Sequence, residues 1–133
     1  MSERLRYKLD NYEKAVHRLQ EAVQLPLEQS IVLDGIIQRF EFTYELAWKL
    51  MKSFLEYEGI VEVSSPRAVF KEAYSIGLIS NSEDWLSMIA DRNITSHTYD
   101  EKMALLVCER ITTQHVHILV TLLETLKQRI LSL

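Results

Sequence analysis

Only five residues punctuate this chain: Pro26, Gly35, Gly59, Pro66 and Gly77. All-β folds need tight turns at short intervals, and α/β folds need a Gly at loop after loop. Three Gly and two Pro in 133 residues therefore leave only a few long helices joined by a few breaks. With 47% hydrophobic and 26% charged residues the chain has the balance of one globular domain, expected to span residues 1–133. At this length about two thirds of the unfolded chain's surface can be buried, so a core forms without disulfide staples. The composition excludes collagen-like, disordered and disulfide-framework classes.

The lone Cys108 fits a reducing compartment. The opening MSERLRYKLD is charged from its third residue onward and lacks the apolar stretch of a signal peptide. No apolar run approaches a membrane span, so a cytoplasmic location with no membrane contact is expected. Fifteen Lys and Arg against nineteen Asp and Glu give a net charge of −4. Such a chain does not grip nucleic acid by bulk electrostatics, and any RNA contact must be local or supplied by a partner.

Leu5, Leu9, Tyr12, Val16, Leu19 and Val23 alternate steps of four and three, a heptad seam on a first helix that ends at Pro26. A second helix is expected from about Ile31 to Glu58. Leu33, Ile36, Phe40, Ala47, Met51 and Phe54 lie on its buried side, Tyr44 and Trp48 beside them, and Glu41, Glu45 and Lys49 on its wet face. Gly59 stops it, and Ser65 with Pro66 opens a third helix that ends at Gly77. Capping-box spacing at Ser80 and Glu83 opens a fourth, carrying Trp85, Met88 and Ile89 inward. The same spacing at Thr98 and Glu101 opens a fifth at about Tyr99, with a seam through Ala104, Cys108, Ile111, His115, Ile118 and Leu122 to about Ile130. The expected class is all-α, an antiparallel up-and-down four-helix bundle with an additional short helix.

The segment DRNITSHTYDE, residues 91–101, is polar where its neighbours are apolar. Arg92 continues the inward row of the fourth helix. His97, five residues on, would stand about 140° around a continuous helix, but a break at Thr98 frees it to turn back toward Arg92 or toward a second subunit. A guanidinium binds phosphate bidentately and an imidazole moves protons near neutral pH. Without a metal, the two could help an RNA 2′-hydroxyl attack the adjacent phosphate, with Asn93 and Tyr99 as supporting polar groups. The pairing alone is a weak signal, since about 0.7 such pairs arise by chance in this composition. It recurs at Arg110 and His115, which lie mid-helix and read as packing.

FEFTYELAWKL (residues 40–50), SPRAVFKEAYSIGLI (65–79) and RNITSHTYDE (92–101) resemble the nucleotidyltransferase substrate-binding protein family, part of the HEPN group of nucleotide-binding helical bundles. The resemblance implies a helical bundle that forms a homodimer, brings two Arg-x4-His-x-Tyr motifs together and pairs with a small separate nucleotidyltransferase. It implies one of two roles. In the first, the chain is a substrate-binding subunit contributing nucleotide or substrate binding through Arg92, Asn93, His97 and Tyr99. In the second, it is a metal-independent ribonuclease toxin with Arg92 and His97 as catalytic residues, silenced by AMP transfer to Tyr99.

No cofactor or metal is expected. Glu41 and Glu45 share a face without a third ligand, and His115 and His117 stand about 200° apart. Tyr44, Trp48 and Trp85 read as core at helical spacing rather than as base-stacking platforms, and Cys108 as a small buried hydrophobe.

Overall fold

The structure, a computed structural model of the chain, describes residues 2–97 and 100–133, and for residues 96 and 97 the backbone only. The helices are α1 (Ser2–Ala22), α2 (Ser30–Tyr57), α3 (Pro66–Ser75), α4 (Ser82–His97), α5 (Glu101–Arg110) and α6 (Val116–Leu131). A π turn, Ile111–His115, joins the last two into one continuous rod. The fold is all-α. Central α2 packs against every other helix, because its apolar stripe runs through Leu33, Ile36, Phe40, Tyr44, Ala47, Met51 and Leu55, all buried. The first helix's seam, Leu5 to Leu19, is buried as its spacing predicts.

Local signals set most helix ends. Ser65 Oγ accepts the Ala68 N–H with Pro66 at the first helical position, and Gly59 and Gly77 adopt φ of 89° and 77°, a region side chains disfavour. Two starts differ from expectation. Asn81, not Ser80, caps α4, its Oδ1 accepting the Glu83 N–H at 2.9 Å. At α5 the cap is Asp100, which accepts the Lys102 N–H at 2.9 Å, and the helix begins at Glu101. Thr98 and Tyr99, where that start was expected, lie outside the described residues. Asn and Asp are among the preferred N-cap residues, because a short side-chain oxygen reaches the free N–H groups of the first turn.

The π turn explains a third difference. The expected 4–3 seam places Ile118 after His115, yet Leu119 is fully buried there and Ile118 only half-buried. An i→i+5 turn absorbs one extra residue, so the buried face resumes one position later and continues through Leu122, Leu126 and Ile130. The Tyr12 hydroxyl, itself buried, donates to the Leu119 carbonyl at 2.7 Å and fastens α1 to the rod just beyond the turn.

Candidate functional site

α4 runs uninterrupted through His97, so its break follows His97 rather than freeing it. Arg92 and His97 consequently sit about 140° apart around one helix, and a single copy of the chain does not stack them on one face. Nothing further is described of the His97 side chain, and Tyr99 lies outside the described residues. Asn93 is exposed, one residue beyond Arg92.

Arg92 is anchored from α2. Its Nη1 donates to Glu41 Oε2 at 3.2 Å, and the Thr95 hydroxyl, one turn on, donates to the same oxygen at 2.8 Å. Glu41 is therefore the carboxylate that holds Arg92, not the freely solvated charge its place on the wet face suggested. Arg92 and Glu41 are each a little under a third exposed, where such a pair contributes on the order of 1 kcal/mol. A guanidinium has five N–H donors. The Arg92 Nε is buried with no hydrogen-bond partner among the described residues, so Glu41 leaves donor capacity unused.

Beside this pair lies a cleft of about 130 Å³, lined by Asp34, Gln38 and Glu41 of α2, Ile94 and Thr95 of α4, and Met103 and Ala104 of α5, among others. Small-molecule sites run from about 300 Å³ upward, so this cleft is too small for a whole nucleotide. A larger cavity of about 320 Å³ lies at the other end of α4, with Asn81, Asp84 and His117 on its walls, away from Arg92. Among the described residues, no three His, Cys, Asp or Glu side chains gather as a metal site.

The strongest polar cluster is one that sequence reasoning assigned to packing. Asp91 is buried and faces the π turn. Arg110 grips it with two bonds, Nε to Oδ2 at 2.9 Å and Nη2 to Oδ1 at 2.6 Å, while His115 Nε2 lies 2.7 Å from Oδ2. On a regular helix Arg110 and His115 would point about 140° apart. The intervening π turn brings residues five apart into register, so both reach one carboxylate. Burial pushes the Asp91 carboxyl up, but the hydrogen bonds from His115 and Arg110 and the Arg110 charge outweigh it and hold its pKa at about 2. The pair raises Arg110 in turn, through its hydrogen bond to Asp91. His115 also stacks on Phe40, with ring centroids 5.3 Å apart. The motif's neighbouring residue thus locks α4 to the rod directly behind Arg92. Cys108 is buried as expected, and desolvation pushes its thiol up to about 12.

Residues 7–128 match the family described as nucleotidyltransferase substrate binding protein like. The chain belongs to that family. This substrate-binding-family chain is 37% identical over 93 residues to the probable ribonuclease HepT of Haemophilus influenzae, covering 67% of this chain and 64% of that protein, less than two thirds of the relative's length. Its fold superposes on HI0074 of Haemophilus influenzae, described as the substrate-binding domain of a nucleotidyltransferase. There the identity is 31% and the TM-score 0.69, covering 96% of this chain and all of that one. A tri-AMPylated Shewanella oneidensis HEPN toxin in complex with its MNT antitoxin has the same fold, with a TM-score of 0.78 over 93% of this chain and 96% of that one. At 17% identity it speaks for the fold alone. Among the described residues, no helix is long and apolar enough to cross a membrane.

Proposed function

We propose that this chain is the helical subunit of a two-component nucleotidyltransferase, a cytoplasmic homodimer that pairs with a small separate transferase and binds part of its nucleotide or substrate through Arg92, Asn93, His97 and Tyr99. One observation carries the reading: among the described residues Arg92 is held by the Glu41 carboxylate and its Nε has no partner, while Glu41 and Thr95 line a cleft too small for a nucleotide. A site of this kind needs a second surface to complete it. The partner transferase supplies that surface and the catalytic carboxylates, and a second copy of the chain supplies the His97 that one helix cannot set beside its own Arg92. Kinship with HI0074, described as a nucleotidyltransferase's substrate-binding domain, supports it. Co-expression with a small nucleotidyltransferase encoded beside this chain, followed by size exclusion, tests it. Co-elution at micromolar concentration is expected; separate elution overturns the pairing.

A second reading rests on the 37% identity to a probable ribonuclease. Here Arg92 holds the scissile phosphate, His97 moves the proton of the attacking 2′-hydroxyl, and the partner silences the enzyme by transferring AMP to Tyr99. It predicts growth arrest when this chain is expressed alone, relieved by His97→Ala. Equal growth of cells carrying wild type and variant eliminates it.

A further inference from the structure

Phe42 is 61% exposed in the middle of α2. Two clefts flank it in the groove between α1 and α2, with volumes of about 380 and 350 Å³. Arg18 and Ala15 line both. Gln38, Arg39 and Thr43 complete the first, while Asn11, Lys14 and Leu46 complete the second. No acidic side chain lines either cleft, in a chain whose net charge is −4. The arrangement follows from helical spacing: Asn11, Lys14, Ala15 and Arg18 share one face of α1, and Gln38, Phe42 and Leu46 one face of α2. Arg39 is fixed by its Nη1, which donates to the Arg18 carbonyl at 2.6 Å. Lys14 reaches Asp10 at the rim, 3.1 Å away, in a pair exposed on both sides.

We propose that this groove binds a single-stranded polynucleotide, with a base stacked on Phe42 and its flanking phosphates on Arg18, Arg39 and Lys14. Three features favour that occupant. A second copy of the chain docking here about a two-fold axis would bring these cations against their own copies, which repels. The lining is rich in donors, two guanidiniums, an ammonium and the Gln38 amide, around one aromatic face, whereas the buried centre of a protein interface is depleted in charge. Each cleft is large enough for a nucleotide, and a stacked base with cations along the strand is how single strands are held without sequence readout. Gln38 also lines the small cleft beside Glu41 and Thr95, so the groove and the Arg92 site adjoin across α2. This is the local cation patch that an acidic chain needs if it is to hold nucleic acid at all.

The full chain is titrated into 5′-fluorescein-labelled U12 and, separately, dT12, and anisotropy is read at 50 and 200 mM salt. Both strands bind at micromolar protein in low salt, because the base and phosphate chemistry they share suffices. Phe42→Ala weakens binding about tenfold. Arg18→Glu weakens it more and lowers the slope of log affinity against log salt by about one. Tyr74→Ala, which removes an exposed aromatic from α3, leaves affinity within about twofold. Both Phe42 and Arg18 are exposed, so circular dichroism confirms that their variants fold. Absence of wild-type binding at 50 mM salt overturns the proposal, as does a Phe42→Ala variant that binds like wild type. So does a Phe42→Ala variant that keeps oligonucleotide binding and instead loses co-elution with the transferase, which makes the groove a protein interface. The pairing itself is judged on wild-type co-elution, which none of these outcomes decides.

Discussion

Replacing Asp91 by Asn lowers the unfolding free energy by about 3 to 5 kcal/mol, the usual cost of removing one partner from a buried ion pair. Thermal melting registers this as a fall of roughly 10 °C or more in a domain of this size. The cause is local. Asp91 is 3% exposed and His115 fully buried, so once the carboxylate is gone His115 keeps no charged partner while its Nδ1 already lacks one among the described residues. Arg110, more than a third exposed, can turn to solvent, but the tie between α4 and the π turn is lost. The acid limb of stability carries the same signature. Asp91 titrates at about 2 in the fold, and an unfolded Asp at about 3.9, so its contribution is complete above pH 4. It is lost as pH falls from about 4 to 2, and amounts to about 2 to 3 kcal/mol. Wild type should lose that increment across this window in urea titrations, whereas Asp91→Asn should not. A variant melting within 2 °C of wild type would show that the contacts seen here carry little energy.

Phe40→Ala is expected to cost about 3 to 5 kcal/mol, the range for deleting a fully buried aromatic. Phe40 begins a run of ring contacts that crosses the core: it stacks on His115, meets Tyr44 at 6.2 Å, and Tyr44 reaches Phe70 and then Trp85 at the base of α4. Phe40 also neighbours Glu41, so the cavity left behind loosens the turn of α2 that holds Arg92. Equilibrium denaturation checks the magnitude. A cost under 1 kcal/mol would mean that the core refills the space from α2 and the π turn.

The helices were legible in the sequence because each rests on a local signal. The seam from Leu5 to Leu19 needed only its spacing, and Gly59, Ser65, Pro66 and Gly77 mark ends by their own conformational preferences. The start of α4 shifted because Ser80 and its neighbour Asn81 are both capable caps and Asn81 takes the Glu83 N–H, while at α5 Asp100 takes the Lys102 N–H. Less legible were features that depend on a second helix. Heptad counting assumes one period throughout, so it carried the seam to Ile118 and missed the residue absorbed in the π turn. A mid-helix place with His115 on the apolar seam likewise reads as packing for Arg110 and His115, because the carboxylate they share, Asp91, stands on another helix. Glu41 could be placed on the wet face by periodicity, but its grip on Arg92 appears only when α4 is laid against α2.

That grip bears on the function proposed for Arg92. Glu41 neutralises part of Arg92 and lowers its pull on free anions, yet leaves donors for a phosphate presented in the right place. Selective capture of a group delivered by a bound partner is the behaviour such a half-engaged guanidinium favours.

The central claim is tested most directly by titrating ATP with magnesium into the co-purified complex of this chain and its transferase, calorimetrically, with wild-type chain and with Arg92→Ala. A charge-assisted contact to phosphate is worth about 1.5 to 3 kcal/mol, so the variant complex should bind at least about tenfold more weakly while remaining assembled. Equal affinity in the two complexes would contradict a binding role for Arg92 and leave this chain as a scaffold.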